Sequence, residues 1–214
     1  MISIALSYIL STTPKNSLNI DMSHYQLVLA STSKYRRQLL GKIAIPFLSI
    51  APECDETPLT DESPQALVQR LAQQKAQSCP QKQPSLVIGS DQVCVVQGQI
   101  VGKPQTKEHA IQQLMAQSGD KITFYTGLAV YNNVTGTTQC IVDQFNVHFR
   151  QLTLNQIERY IEMEQPLDCA GSFKSEGLGI ALFKRLEGDD PNALVGLPLI
   201  KLIDLLEAEG MTVL

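Results

Sequence analysis

The order of the predicted secondary-structure elements constrains the fold of this chain more than any other feature of its sequence. From Gln26 to Gly119, short apolar runs with strand character alternate with helical patterns. Strand-like segments then cluster between Lys121 and Phe149, before two further helical segments. Alternating strands and helices favour parallel pairing, whereas consecutive strands favour hairpins. The sequence therefore predicts an α/β protein built on a mixed sheet.

Turn and capping residues set the expected boundaries of the elements. Strand-like runs occupy residues 26–30, 43–50, 86–88, 93–96, 100–101, 121–131, 137–142, 145–149 and 180–183. Hydroxyl side chains in N-cap positions precede three helices: Ser63, Thr106 and Thr153. Gln156 follows Thr153 by three residues, which is the spacing of a capping box. The last helix is expected over residues 198–209.

The charge balance argues against a general nucleic-acid-binding protein. The chain of 214 residues carries 21 acidic and 17 basic side chains, a formal net charge of -4. Proteins that bind nucleic acid neutralise many phosphates with clustered lysines and arginines, which this composition does not supply. We therefore expect no nucleic-acid partner, and a few local cations must bind any anionic ligand.

The cysteines and histidines indicate neither a disulfide framework nor a zinc site. The five cysteines are scattered and never spaced as CxxC, which favours reduced thiols and a cytoplasmic location. The three histidines lie far apart in the sequence. A histidine-built metal site is therefore not expected, and a metal ion would need oxygen ligands.

The first 21 residues differ from the rest of the chain. Residues 2–10 are mildly apolar, but they lack a basic segment and are too short to span a bilayer. Residues 11–23 are polar without clear periodicity. We expect residues 1–21 to form a disordered extension, with Met22 as a candidate start. Residues 22–214 are then expected to form a single domain that has no membrane partner.

The turn after the first strand combines features that bind phosphate. Ser31, Thr32 and Ser33 precede a helix that carries the adjacent arginines Arg36 and Arg37. The start of a helix offers backbone N–H groups, and guanidinium groups match phosphate oxygens. An ordinary helix cap with solvated arginines would have the same residues. The turn alone leaves both interpretations open.

Lys75 occupies the centre of an apolar helical face. On a helical wheel it lies between Leu67 and Leu71 on one side and Val68 and Ala72 on the other. A lysine in this position usually extends to the edge of the face. The alternative is an ammonium group directed at a phosphate in a cleft.

Asp91 follows the apolar run at residues 86–88 and is expected at the carboxyl end of a strand. Open α/β sheets bind ligands at such ends, where carboxylates commonly hold Mg²⁺, although a turn-capping role would also explain Asp91. The acidic loop at residues 53–56 and the turn containing Lys103 could likewise be surface features. Together these residues favour phosphoryl hydrolysis, which needs cations for phosphates and carboxylates for a metal. No P-loop or dinucleotide fingerprint is present.

Several ordered motifs resemble the Maf family of nucleotide pyrophosphatases and cover nearly all of the chain after Met22. They are Leu29-Ala30-Ser31-Thr32-Ser33 with Arg36-Arg37, Asp55-Glu56-Thr57-Pro58, Gln74-Lys75-Ala76, Ile88-Gly89-Ser90-Asp91-Gln92 and Gly102-Lys103-Pro104. Cys169–Gly177 is similar to the YceF-type subfamily, the 7-methyl-GTP pyrophosphatases. The resemblance implies an elongated Maf/ITPase-like fold with two lobes around a central cleft, often assembled as a homodimer.

The resemblance also implies a reaction and its residues. The family releases a nucleoside monophosphate and pyrophosphate from a nucleoside triphosphate with a divalent cation, here expected to be Mg²⁺ or Mn²⁺. The family's catalytic aspartate matches Asp91. Its acidic position matches Asp55 or Glu56, so the metal is expected on Asp91 and one of these carboxylates. Its substrate-binding positions match Ser31, Ser33, Arg36, Lys75 and Lys103.

Three positions that separate substrate classes within the family align with Tyr35, Gln92 and Glu176. The subfamily usually has tryptophan where this chain has Tyr35. Both side chains are aromatic, and a cationic 7-methylguanine is attracted to an aromatic face. Glu176 could accept hydrogen bonds from N–H groups of the base and offset the charge of the base. Gln92 could form hydrogen bonds with an edge of the base. The expected substrate is therefore 7-methyl-GTP.

The expected mechanism is attack of water on the α phosphorus, with Asp91 either holding the metal or accepting the proton. Three alternatives remain. A pyrophosphatase of the same fold could act on UTP, dTTP or another modified nucleotide. A nucleotide-binding regulator of septum formation would hardly turn over. A structural interaction module would bind nucleotide without needing Lys75 or Asp91.

Overall fold

The computed structural model describes residues 25–214, so the extension expected at residues 1–21 lies outside the described residues. Seven strands form one sheet: β1 Gln26–Ala30, β2 Phe47–Ile50, β3 Ser85–Val96, β4 Gln99–Val101, β5 Lys121–Asn132, β6 Thr137–Phe149 and β7 Phe183–Glu187. Five α-helices accompany them: α1 Lys34–Leu40, α2 Pro64–Gln77, α3 Lys107–Gln117, α4 Leu154–Glu164 and α5 Leu199–Ala208. Within the described part of the chain, no helix is long and apolar enough to cross a membrane.

The sheet is mixed, as the order of elements predicts. Its strand order is β2-β1-β3-β5-β6-β7, and the short strand β4 pairs with the end of β3. β1 is parallel to both β2 and β3, whereas all other pairs are antiparallel. The early strands are parallel because helices connect them, and β5 and β6 form a hairpin through a short turn. The predicted α/β class is therefore confirmed.

Strand β3 is longer than the sequence predicts, which changes the position of Asp91. The prediction placed Asp91 at the carboxyl end of a strand, but it lies inside β3 and pairs with Gly127 of β5. β5 supports β3 from Leu86 to Val95, whereas β1 pairs with β3 only as far as Ile88. Asp91 therefore lies beyond the end of the parallel neighbour, and this edge of β3 faces an opening.

Three other strand predictions were wrong in their boundaries. The strand expected at residues 43–50 begins only at Phe47, because a 3₁₀ turn and the left-handed Ala44 precede it. The two strands expected over residues 137–149 are one strand, which β5 pairs from Thr137 to His148. The strand expected at residues 180–183 is also wrong, because residues 178–182 form a 3₁₀ helix and β7 begins only at Phe183. Short apolar runs do not separate these conformations without knowledge of their partners.

The predicted helix starts are confirmed. The hydroxyls of Ser63 and Thr106 accept hydrogen bonds from backbone N–H groups three residues later. Thr153 and Gln156 form the predicted capping box at the start of α4. These contacts satisfy N–H groups that have no partner inside the helix, which is why the local sequence predicts them well.

Helix α2 lies very close to the sheet because two glycines face it. A Cβ atom on Gly89 of β3 would lie 2.1 Å from the carbonyl oxygen of Ala72. A Cβ atom on Gly127 of β5 would lie 2.0 Å from the carbonyl oxygen of Val68. Neither glycine can therefore gain a side chain without displacing the helix. The close approach brings Lys75, in the C-terminal half of α2, onto the face of β3.

Two large apolar clusters correspond to the two predicted lobes. One packs α3 and α4 against the sheet and contains Phe124, Phe149, Phe173 and Phe183, whose rings meet edge to face. The other packs α1 and α5 against the opposite end of the sheet around Leu40, Leu128 and Leu202. Phe124, Phe173 and Leu194 of the first cluster line the central cleft, as does Val195, which packs against the second.

Candidate active site

Most residues predicted to bind a nucleotide line one large cleft of about 880 Å³. Its walls come from the turn after β1, the acidic loop before α2, the middle of β3 and the segment between α4 and β7. The predicted residues that line it are Ser31, Ser33, Tyr35, Arg36, Glu56, Lys75, Asp91, Gln92, Lys103 and Glu176. A cavity of this size is typical of small-molecule sites.

Lys75 and two carboxylates form the centre of the cleft. The Lys75 Nζ donates a 2.7 Å hydrogen bond to Asp91 Oδ1 and lies 3.1 Å from Glu56 Oε2. Lys75 is 6% exposed and Asp91 is 8% exposed. The ammonium group therefore points into the cleft and does not extend to the edge of the helical face. A buried charge needs such a partner, because desolvation is otherwise costly.

The turn after β1 is held by its own hydroxyl groups. Ser33 is the N-cap of α1, and its Oγ accepts a hydrogen bond from the Arg36 N–H at 3.4 Å. The Ser31 Oγ accepts one from the Ser33 N–H at 3.1 Å, and the Ser49 Oγ donates to the Ser31 carbonyl. The helix-cap interpretation is thus correct for Ser33. The same turn nevertheless lines the cleft, so the two interpretations do not exclude each other.

Arg36 is positioned by a residue that sequence reasoning missed. Its Nε donates a 2.8 Å hydrogen bond to the Gly196 carbonyl, which also accepts one from the buried Ser90 hydroxyl. Gly196 has a φ of 100°, and a Cβ atom there would lie 3.3 Å from the Arg36 Nε. Burial lowers the pKa of Arg36, and the carboxylates of Asp91 and Glu56 oppose this shift. No local motif marks Gly196, because its contact spans 160 residues.

Tyr35, which the sequence predicts to take part in base selection, has two polar neighbours, Asp168 and Cys169. The Tyr35 hydroxyl donates to Asp168 Oδ2 at 3.5 Å. Burial raises the pKa of Tyr35, and Cys169, Asp168 and Glu176 add to the shift. Burial, together with Asp168, also raises the pKa of the Cys169 thiol to about 12. This part of the cleft therefore combines an aromatic ring with two carboxylates, of which sequence reasoning identified only Glu176.

Among residues 25–214, Gln92 has one polar side-chain atom, Oε1, without a hydrogen-bond partner. Alternate residues of a strand face opposite sides of the sheet, so Gln92 faces away from Lys75. Its Nε2 donates to the Thr126 hydroxyl at 2.9 Å and to the Ala193 carbonyl at 2.6 Å. Both N–H groups of the amide are thereby used. The Oε1 atom remains as an acceptor at the cleft wall.

Glu176 is exposed on a loop that the end of α4 holds in place. The Lys174 Nζ donates to the Glu164 carbonyl at 2.7 Å, and the Leu178 N–H donates to the Glu164 carboxylate at 2.7 Å. The Lys174 N–H donates to the Tyr160 hydroxyl at 3.0 Å. Contacts on both sides of Glu176 therefore fix the backbone that carries it.

Two predicted residues differ from the others. Asp55 does not line the cleft, because its Oδ1 accepts a 2.9 Å hydrogen bond from the Thr57 N–H, which lowers the pKa of Asp55. Of the two alternatives for the acidic position, the structure thus places Glu56 at the cleft. Lys103 lines the cleft, is exposed and forms no ion pair with another residue in the range 25–214.

The carboxylates at the centre suit a cation that binds together with a nucleotide. Among the described residues, no group of three or more His, Cys, Asp or Glu side chains could hold a metal ion. Asp91 and Glu56 nevertheless converge on a single atom, the Lys75 Nζ. Mg²⁺ often binds through one or two carboxylates and completes its shell with waters and substrate phosphates. The donor set fits this mode of binding and does not form a preformed cage.

Comparison with known proteins agrees with the geometry. A family model described as Maf-like protein matches residues 26–209. A 7-methyl-GTP pyrophosphatase of Vibrio vulnificus is 68% identical over 193 residues, 90% of this chain and 100% of the relative. A protein of the same name from Vibrio cholerae is 64% identical over 90% of this chain and 100% of the relative. Another from Aliivibrio fischeri is 60% identical over 88% of this chain and 98% of the relative.

Among solved structures, the Ham1 protein of Staphylococcus aureus matches with a TM-score of 0.48 and 15% identity, over 86% of this chain and 99% of that chain. This likeness is too distant to bear on the site. The family model, in contrast, extends over nearly the whole described chain and includes every residue of the cleft described above, and the relatives match 88–90% of the chain. The chain therefore belongs to the Maf family.

Proposed function

We propose that this protein is an enzyme that hydrolyses the α–β phosphoanhydride of 7-methyl-GTP to 7-methyl-GMP and pyrophosphate. The observation that carries the proposal is the buried Lys75, which joins Asp91 and Glu56 within a cleft that also contains Arg36. Charged groups of both signs at one cavity wall suit a polyphosphate and its metal ion. The names of the curated relatives support the choice of substrate.

The cationic residues bind and orient the triphosphate. Arg36 is held by the Gly196 carbonyl, so its guanidinium group is already fixed when a phosphate arrives. Lys75 is fixed by its carboxylate partners, whereas Lys103 reaches the cleft as an exposed side chain. Ser31 and Ser33 add hydroxyl groups on the wall beside Arg36. Preorganised charges of this kind stabilise negative charge as it develops on the phosphates.

Asp91 and Glu56 would hold the divalent cation, Mg²⁺ or Mn²⁺. When bound, the cation neutralises phosphate charge and lowers the pKa of coordinated water. Asp91 Oδ1 is engaged by Lys75, and Oδ2 has no hydrogen-bond partner among residues 25–214. This free oxygen can contact the cation or accept the proton of the attacking water. In both roles Asp91 is the residue on which turnover depends.

The region around Tyr35 would select the base. The 7-methylguanine ring carries a positive charge, which the face of an aromatic ring attracts. The carboxylates of Glu176 and Asp168 lie in the same part of the cleft and favour a cationic base over a neutral one. The Oε1 atom of Gln92 can accept a hydrogen bond from an N–H group on the base edge, since the amide nitrogen is already committed.

A nucleotide panel tests the choice of substrate. Pyrophosphate release should be fastest, as kcat/KM, with 7-methyl-GTP in the presence of Mg²⁺. A clear preference for UTP or dTTP would instead establish the alternative substrate class. A chelator should abolish release and added Mg²⁺ should restore it. Tight nucleotide binding without turnover under all these conditions would favour the nucleotide-binding regulator of septum formation.

Replacement of Asp91 with asparagine tests the catalytic assignment. Asn keeps the shape of the side chain but removes the negative charge and the proton-accepting oxygen. We expect D91N to lose turnover while its circular dichroism spectrum stays native. Near-normal activity would exclude Asp91 both as metal ligand and as base.

We also propose that residues 22–214 act as one domain in the cytoplasm without a nucleic-acid or membrane partner. The five cysteines, all free in the structure, support a reducing compartment. Assembly as a homodimer is part of the same proposal. Light scattering of the purified protein measures the mass of the assembly, and a mass equal to that of the monomer would exclude the homodimer.

A further inference from the structure

The loop that carries Glu56 has no apolar core of its own. Residues 51–63 contain no helix or strand, and most of them are exposed. A segment of this kind opens at low free-energy cost unless polar contacts hold it. Glu56 nevertheless reaches the Lys75 Nζ from this loop. The position of Glu56 therefore depends on polar contacts elsewhere in the loop.

Arg70 of α2 connects two parts of this loop. Its Nε and Nη2 each donate a 2.7 Å hydrogen bond to a different carboxylate oxygen of Glu62. Nη2 also donates to the Thr57 carbonyl at 3.1 Å, and Nη1 donates to the Gln74 side chain at 3.1 Å. The Leu59 N–H donates to Glu62 at 3.0 Å. The hydrogen bonds from Arg70 lower the pKa of Glu62 to about 2.

These contacts fix the backbone of the residue that follows Glu56. The Thr57 carbonyl is bound by Arg70, and the Thr57 N–H is bound by the Asp55 carboxylate. Glu56 lies between Asp55 and Thr57 in the sequence. Arg70 does not line the cleft, so we expect no direct contact between Arg70 and a nucleotide bound there. Any effect of Arg70 on the reaction must therefore pass through the loop.

We propose that Arg70 is a positioning residue, which together with Glu62 holds the acidic loop so that Glu56 stays beside Lys75 and Asp91. This inference rests on the proposed function, because the position of Glu56 matters only if a nucleotide and its cation bind there. It also assigns a role to Asp55, which fixes the turn at Thr57 and does not hold the cation. The planar, bidentate pairing is specific to a guanidinium group, so lysine should replace Arg70 poorly.

Hydrogen–deuterium exchange of the folded, full-length protein tests the effect on the loop. R70A should raise the exchange of amides in residues 53–62, whereas the core strands β3 and β5 should keep their protection. K107A is the matched control, because it removes an exposed ion pair of 3.0 Å with Glu162 outside the cleft. Unchanged loop exchange in R70A would overturn the proposal. R70K and E62Q serve in the same way if R70A fails to fold.

Steady-state kinetics test the consequence for the reaction. Loss of residues that orient metal ligands typically costs 10–100-fold in metal affinity or activity, so we expect a fall in kcat of roughly 10-fold in R70A. The Mn²⁺ concentration for half-maximal activity should rise. The KM for nucleotide should stay within about twofold, because the phosphate-binding cations remain. Direct binding of Mn²⁺ in the presence of saturating nucleotide, measured by electron paramagnetic resonance, should weaken in R70A and not in K107A.

A double variant separates positioning from general stabilisation. If Arg70 acts through Glu56, E56Q/R70A should be no slower than E56Q alone. Independent, multiplicative losses would overturn the proposal. Wild-type protein without turnover would defeat the proposed function itself. Normal wild-type turnover combined with unchanged activity and loop exchange in R70A would defeat only the role of Arg70.

Discussion

Replacing Lys75 with methionine would test the centre of the cleft through stability. Methionine has a similar length but carries no charge. Among the described residues, the Lys75 Nζ is the only hydrogen-bond donor to the Asp91 carboxylate. The side chains of Lys75 and Asp91 are only 7% and 12% exposed. K75M therefore leaves a nearly buried carboxylate without its partner.

The expected magnitude follows from the contacts on each side of the pair. Removing one partner of a buried ion pair costs about 3–5 kcal/mol. Arg36 is close enough to interact with Asp91, so we expect a loss near the lower limit, about 3 kcal/mol in the free energy of unfolding. D91N should cost less, about 1–2 kcal/mol, because Lys75 keeps Glu56 at 3.1 Å. In K75M/D91N neither charge remains, so part of the K75M loss should be recovered.

Urea unfolding, followed by circular dichroism, measures these differences. K107M is the matched control, since it removes an exposed ion pair whose loss should cost less than about 1 kcal/mol. A K75M loss no larger than that of K107M would refute the reasoning. A double variant less stable than K75M would also refute it, because the destabilisation would then not come from the unpaired carboxylate.

Three further variants test other parts of the structure. G89A should lose more than about 2 kcal/mol in the free energy of unfolding, measured by thermal unfolding, and most of its turnover, because its Cβ would meet the Ala72 carbonyl and displace α2. The unobstructed G41A is its control. A G89A variant as stable as the wild type would contradict this prediction. Asp143 is 8% exposed, its Oδ1 has no hydrogen-bond partner among residues 25–214, and burial raises its pKa from 3.8 to about 6. The ionised carboxylate therefore lowers stability above about pH 6 and not below about pH 4. D143N should gain about 1–2 kcal/mol in the free energy of unfolding at pH 7.5 and less at pH 5. Equal gains at the two pH values would contradict the assignment. E176Q should reduce the preference for 7-methyl-GTP over GTP roughly 10-fold in kcat/KM, and an unchanged preference would remove Glu176 from base selection.

The parts of the fold that depend on neighbouring residues were predictable. The caps at Ser63, Thr106 and Thr153 are contacts between residues three positions apart, so the local sequence contains both partners. The same is true of the helical wheel that placed Lys75 among apolar residues. The wheel could not predict where the ammonium group points, because Asp91 and Glu56 belong to other segments.

The errors in strand boundaries have one physical cause. Whether a run such as residues 86–96 forms one strand or two depends on the partner strand that supplies hydrogen bonds. β5 supports β3 past Asp91, and it likewise supports β6 from Thr137 to His148. Among the described residues, no strand pairs with residues 178–182, which form a 3₁₀ helix although they are apolar.

The candidate active site likewise has a part that the sequence predicts and a part that depends on contacts between distant residues. The cations, hydroxyls and carboxylates that suit a nucleotide are visible in the sequence as motifs, and their resemblance to the Maf family identified ten of the cleft residues. Sequence reasoning missed Gly196, Asp168 and Arg70. Each contacts a residue far along the chain or in another element, through a carbonyl, a carboxylate or a guanidinium group.

The sequence by itself determined the class of the fold, the helix starts and the types of residue available for phosphate chemistry, because these follow from local periodicity and side-chain chemistry. The tertiary structure decided the rest: that Lys75 is buried against Asp91, that Glu56 and not Asp55 faces the cleft, and how Arg36 is held. These outcomes depend on the close approach of α2 to Gly89 and Gly127 and on hydrogen bonds between distant segments. The free energy of such contacts depends on distances that exist only after the chain has folded.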